Sequence, residues 1–367
     1  MSGHKRQHFV PQSYLRRFAA DGTDGRAIST LLVKTGKHVP RASIATACQA
    51  EYFYGKDLAF EHALRAIEAA ADPVISSVVA EAGVPEPTSA EMTSLLRFVG
   101  LQMGRTPDRL RLHSEQETAW MRMAARTHPE FPKQFGDTID RVSVRVPDEW
   151  IAVALSIAND GIPLICDLRA KVLVSRTACF ITSDSPVVLH NRWAGPNAQA
   201  AVGLTSRGLL VFMPLSPRHL LVLFDTDVYR VGASFADYVE VNDEEEIFAL
   251  NALQAEGAAE QIIYASHMPK VAVDRLGSVP KRGPRWNAQR VWTPDNRNIV
   301  VTAQVSSSLK LPSGGSVRIR PEVEGVPRHA RWNREREGTT ELFRIMKKFD
   351  EARLSRASRV ERARRAR

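Results

Sequence analysis

The chain has 367 residues, 44% hydrophobic and 25% charged, an ordinary globular composition that excludes a fully disordered or fibrous protein. Its three cysteines (Cys48, Cys166 and Cys179) show no CxxC spacing, which excludes a disulfide framework and a cysteine-based zinc site. The formal charge of +9 is concentrated at one end: residues 328–367 hold 14 Lys and Arg against 6 Asp and Glu, whereas the preceding 327 residues hold 36 against 35.

The opening Met1–Arg6 leads into His8 and Pro11 instead of an apolar run, so no secretory signal is readable. The most apolar stretch, 209–224, is interrupted by Pro214, Pro217, Arg218 and His219 and cannot cross a bilayer as one helix. A cytoplasmic address is expected.

In chain order, residues 1–20 mix basic and aromatic groups, and 21–25 read as a turn. A strand pair, 27–34 and 38–39, flanks Thr35-Gly36-Lys37. An apolar stripe through Leu58, Leu64, Ile67, Val74, Ile75 and Val78 predicts a helix over 57–82, broken at Asp72-Pro73. Thr88-Ser89-Ala90-Glu91 fits a capping box opening a second helix through Leu95, Leu96, Val99 and Met103. Pro107 predicts a kink at Arg105-Thr106, with helix resuming to about Arg126. A third helix is expected after Pro147.

The pattern then becomes β-like. Residues 171–175, 179–182, 208–213 and 219–224 predict a small antiparallel sheet. Residues 243–257 predict a helix with an acidic first turn, and 258–265 its continuation or a strand. Between 268 and 327 the chain is rich in Pro, Gly, Arg and Asn. One hairpin is expected there, pairing 299–305 with 316–320. The last 40 residues place Leu342, Ile345, Met346 and Phe349 on one face of a basic amphipathic helix. The expected architecture is α+β: a mainly helical N-terminal half packed with a small sheet, plus a basic helical tail. The expected divisions are 1–267, 268–327 and 328–367.

Three segments carry a resemblance. His8-Phe9-Val10-Pro11-Gln12-Ser13-Tyr14-Leu15-Arg16-Arg17-Phe18 resembles the opening motif of the bacterial domain-of-unknown-function 4238 family. Phe98 to Pro107 is similar to its central helix motif, and Phe180 to Val187 to its sheet motif, with Met213-Pro214-Leu215-Ser216-Pro217 following as a strand and turn. The resemblance covers roughly residues 4–265. It implies a bacterial intracellular setting and no particular activity, cofactor or catalytic residue.

The residues themselves offer a candidate pocket. Gln102 lies seven residues after Leu95 and four after Phe98, and so points to the core side of its helix, with Arg105 three later on the same stripe. A buried Arg needs a partner, and Glu61, Glu68 and Asp184 are candidates. His8 and Gln12 align if a helical turn forms there. The functional reading is one shared pocket, with His8, Glu61, Arg105 and Asp184 as catalytic groups and Gln12, Tyr14 and Gln102 contacting substrate. The structural reading is a network tying the N-terminal segment to the helices, with Asp184-Ser185-Pro186 no more than an Asx turn.

Weaker patterns are His4/His8, spaced i,i+4 as for a metal, and Arg122/His128, spaced as in metal-independent ribonucleases. No GxGxxG, P-loop, GxSxG or HExxH is present, so no motif requires a cofactor, although a divalent metal remains compatible with the carboxylates. The tail supplies Lys347, Lys348, Arg353 and Arg356 as candidate phosphate contacts; its partner would be nucleic acid, an acidic protein or an anionic surface. The enzymatic expectation is a hydrolase or nuclease-like effector. The alternative is a ligand- or partner-binding module tethered by its tail.

Overall fold

A computed structural model of the chain describes residues 6–56, 58–193, 202–281, 286–292, 298–304 and 306–324. The N-terminal half contains β1 (Arg6–His8), α1 (Gln12–Arg16), β2 (Ala27–Leu32), β3 (Lys37–Ser43), β4 (Gln49–Glu51), α2 (Leu58–Glu81), α3 (Ala90–Gly104), α4 (Pro107–Thr127), α5 (Phe131–Phe135) and α6 (Trp150–Asp160). Then come β5 (Arg169–Val174), β6 (Thr182–Ser183), β7 (Val188–His190), β8 (Leu210–Ser216), β9 (His219–Phe224), β10 (Tyr229–Val231) and β11 (Tyr238–Glu240). The chain continues through α7 (Glu244–Gly257), β12 (Gln261–Tyr264), α8 (Lys270–Gly277), β13 (Trp286–Trp292), β14 (Asn298–Gln304), β15 (Val317–Ile319) and α9 (Pro321–Glu324). The α+β class read from the sequence is the one the chain adopts. Among the described residues no helix is long and apolar enough to cross a membrane.

Three of the four strands expected to form the small sheet share one sheet, and the fourth, β6, joins a second. The first has the order β11-β5-β9-β8-β7, antiparallel except for the β11–β5 pair. The second, β3-β2-β12-β6, is antiparallel throughout. The stretch that reads as either helix or strand after α7 is therefore strand β12.

Alternation along the central strands builds two cores at once. Val211, Met213, Leu215, Leu221 and Leu223 pack with Tyr14, Leu15, Phe18, Ile75, Leu95 and Phe98. Their neighbours Leu210, Phe212, Leu220, Val222 and Phe224 pack on the other face with Ile247, Leu250 and Leu253 of α7. A strand buried on both faces reads as a continuous apolar run, as β8 and β9 do. Leu311, Val317 and Val323 join the second core, and β15 pairs with β10.

Several local expectations shift. Asp72-Pro73 does not break α2, which runs through Pro73. Proline inside a helix costs about 3 kcal/mol, but Ala71, Ile75 and Val78 are buried nearby and burial of each large side chain returns about 1.5–3 kcal/mol. The cap of α3 is Ser89, one residue later than read: its Oγ accepts from Met92 N at 3.0 Å. At Pro107 the helix ends instead of kinking, because Thr106 is extended (φ −97°, ψ 152°) and Pro107 opens α4. The expected hairpin does not form. Residues 298–304 pair with 286–292, and 317–319 with 229–231. The basic tail lies outside the described residues.

Candidate functional site

The N-terminal motif folds as a short strand and a single helical unit. β1 pairs antiparallel with β4, setting His8 opposite Gln49. Pro11 then starts α1, whose Tyr14 and Leu15 turn inward. The Tyr14 hydroxyl donates to Pro214 O at 2.5 Å and accepts from Thr182 Oγ1 at 2.8 Å, fastening α1 to both sheets. Tyr14 is thereby enclosed and does not line the hollow described next.

On the outer side of α1 lies a hollow of about 320 Å³, lined by His8, Gln12, Arg16, Tyr54, Glu61, Leu64, Arg65, Glu68 and Arg105. Four of these, Glu61, Leu64, Arg65 and Glu68, follow an i, i+3, i+4, i+7 stripe and so share one face of α2. Glu61 accepts from Arg65 at 2.5 Å across one turn. The second oxygen of Glu61 is buried without a hydrogen-bond partner.

Arg105 caps α3 at the floor of the hollow and is wholly buried. Glycines bring it there. A Cβ on Gly104 would stand 2.6 Å from Ala158 Cβ, and one on Gly100 2.6 Å from Ile162, so α3 lies directly against α6 and the turn that follows it. The guanidinium donates to Glu68 Oε1 at 2.5 Å. With its amide oxygen turned toward Arg105, Gln102 accepts from Nη2 at 3.1 Å and Nε at 3.0 Å. The partner required for Arg105 is thus Glu68, and Gln102 reaches the hollow only through Arg105.

His8 is fixed on the wall. Its Nε2 lies 3.3 Å from Ile44 O and donates to it, which leaves the ring's lone pair on Nδ1. Burial lowers its pKa below the ordinary 6.5 against the opposing pull of that carbonyl, and Arg105 lowers it further. The imidazole is therefore neutral at pH 7. Tyr54 donates to His8 O at 3.1 Å, and burial pushes its own pKa up to about 12.

Asp184 lies elsewhere. It follows β6 and closes the turn between α7 and β12, accepting from Ala259 N (2.9 Å), Glu260 N (2.6 Å) and Gln261 N (3.3 Å). Burial outweighs those three amides, and its pKa is raised to about 6. The structure thus brings together His8, Gln12, Glu61 and Arg105, with Gln102 behind them, and places Asp184 and Tyr14 outside the hollow.

The weaker patterns do not converge. Arg122 donates to Val142 O at 2.8 Å, while His128 accepts from Glu130 N and packs edge-on against Phe131. His4, Lys347, Lys348, Arg353 and Arg356 lie outside the described residues. Among the described residues no three His, Cys, Asp or Glu are grouped to hold a metal ion. Arg16 and Arg65 were legible only in retrospect, through the α2 stripe and the four-residue step from Gln12 to Arg16.

A family described as protein of unknown function (DUF4238) matches residues 6–268. The chain belongs to this family. No curated protein and no solved structure matches it. Every residue lining the hollow falls within the DUF4238 segment, whereas β13, β14, β15 and α9 follow it.

Proposed function

We propose that the hollow binds a small anionic molecule and that His8 accepts a proton from water or substrate there, in a hydrolase-like role. One observation carries the reading: an imidazole fixed through Nε2 shares an open polar hollow with a carboxylate held by a buried guanidinium. A general base serves best when unprotonated at working pH, and burial keeps His8 in that form. Three guanidiniums (Arg16, Arg65 and Arg105) face two carboxylates (Glu61 and Glu68), so the lining favours a ligand carrying negative charge. Arg16 contacts Gln12 Oε1 at 3.5 Å and stands ready to turn toward such a ligand.

The test is a panel of chromogenic phosphate and carboxylate esters assayed with the full chain. His8→Ala should lower turnover by roughly 10²-fold or more, with an unchanged melting temperature, and Arg16→Ala should raise KM. Undiminished turnover in His8→Ala, or no stabilisation by any anion in the panel, would overturn the reading.

A second reading rests on charge. With nearly all of the net charge in residues 328–367, the body would be a binding module and the tail its tether to nucleic acid or another acidic surface.

A further inference from the structure

A separate cluster of nucleophilic and titratable groups lies between three distant turns. Cys179 Sγ stands 3.1 Å from His267 Nε2. On the other side of that ring, His267 Nδ1 is 3.9 Å from Asp21 Oδ2. The two turns are laced together, since Ser266 Oγ donates to Asp21 Oδ2 at 2.6 Å and accepts from Asp21 N at 3.2 Å. At that distance Asp21 is a charge neighbour of the ring and not its hydrogen-bond partner; in the tautomer protonated at Nδ1, the Nε2 lone pair faces the thiol. This is the order nucleophile, base, orienting carboxylate that activates a thiol or hydroxyl on unrelated folds.

The backbone carrying the thiol is rigidly held. Asn251 straddles it, donating from Nδ2 to Cys179 O at 2.8 Å and accepting from Ile181 N at 3.0 Å. Phe180 N donates to Pro217 O at 2.8 Å. Arg218 donates to Ala178 O at 3.1 Å. Burial raises the pKa of the Cys179 thiol, and the charge of Arg218 opposes that only in part. Cys179 is 3% exposed, whereas the His267 side chain beside it is 56% exposed. The other two cysteines lack this setting. Cys48 is buried against Gln261 Nε2, and the exposed Cys166 donates only to Ile162 O.

We infer that Cys179, His267 and Asp21 form a second, nucleophilic site that takes a small unbranched acyl group from an ester. As sulfur attacks the carbonyl carbon, its proton passes to His267 Nε2. The C–O bond breaks, the leaving alkoxide takes that proton, and a thioester remains on Cys179. Water then attacks the thioester with His267 again accepting the proton, and releases the acid and the free thiol. Asp21 is a positioning residue, acting through the imidazole.

The experiment uses the full chain and 4-nitrophenyl acetate near neutral pH, following nitrophenolate release and mapping acetyl groups by peptide mass spectrometry. Cys179 should be acetylated roughly tenfold faster than the more exposed Cys166, the advantage a neighbouring base confers. His267→Gln should lower the Cys179 rate by roughly 10²-fold, the scale of general-base assistance. His267 is exposed, so the variant should retain the wild-type melting temperature. Asp21→Asn should lower the rate and Asp21→Glu restore part of it, which a merely structural carboxylate would not do. Faster acetylation of Cys166, or a Cys179 rate that neither His267→Gln nor Asp21→Asn changes, would overturn the assignment.

Discussion

Two buried charges show how differently a polar residue can be satisfied. Arg105 has a carboxylate at 2.5 Å, and removing the guanidinium strands Glu68 and Gln102. Arg105→Met should therefore cost about 3 kcal/mol by chemical denaturation, the low end for breaking a buried pair, because Glu68 keeps 22% exposure. A loss below about 1 kcal/mol would mean that solvent screens the pair as it does on a surface. Asp184 is hydrogen-bonded by three backbone amides. Its folded-state pKa of about 6 exceeds the ordinary 3.8, so between those values the folded protein holds a proton that the unfolded chain has released. The contribution of Asp184 is most favourable below pH 4 and declines as pH rises through 6. Relative to Asp184→Asn, the wild type should lose on the order of 3 kcal/mol between about pH 4 and pH 7. Urea titrations of both proteins across that range check it, and parallel curves would refute it. Half of this was legible. Helical spacing put Arg105 inward, because that geometry is local; Gln12 comes beside His8 without the helical turn expected between them, since His8 ends β1 and α1 begins only at Gln12. The end of β6 carries no mark of which turn Asp184 will close, since its three amide donors lie about 75 residues away.

At the element scale, the site depends on how closely α3 approaches α6. Gly104 allows that approach, and Arg105 follows it directly into the floor of the hollow. A methyl at Gly104 would press on Ala158 Cβ at 2.6 Å and on Ala154 O at 3.1 Å, and neither neighbour is a flexible side-chain end. Gly104→Ala should destabilise by about 1–3 kcal/mol, the usual cost of overpacking, although alanine has the better helix propensity. Thermal unfolding measures this. An increase in stability would mean that α3 can withdraw without loss, and that the floor of the hollow is looser than its geometry implies. Individual elements were readable where local signals suffice: the strand expected at 219–224 forms over those residues, because a β-branched and leucine-rich run between turns has few alternatives. Pairing was not. Residues 317–319 join 229–231 across nearly ninety positions, while the nearer run at 298–304 pairs with 286–292. Proximity in sequence favours a hairpin, but Val317 completes the apolar cluster around Tyr229 and Val231, and that burial decides the partner.

For the whole molecule the decisive quantity is where charge lies. The first 327 residues are nearly neutral and build both cores, whereas the last 40 carry a net charge of +8. A neutral body has little reason to hold a polyanion except through a local site such as the hollow, while a dense cationic segment attracts one by releasing counterions. The tether reading can therefore be tested directly. Binding of duplex DNA and of RNA is measured for the full chain and for a truncation after Pro327, each at two salt concentrations. If the tail is the tether, the full chain binds, its affinity falls steeply with salt, and the truncation does not bind. Each phosphate contact contributes a slope of about −0.9 in log K against log salt on duplex DNA, so Lys347, Lys348, Arg353 and Arg356 together would account for about −3.6. Substituting those four by Ala should flatten the slope by that amount while leaving ester turnover at the hollow intact. Equal binding by the truncated body would remove the tether and place recognition among residues 1–327, where the guanidiniums of Arg16 and Arg65 become the first groups to test.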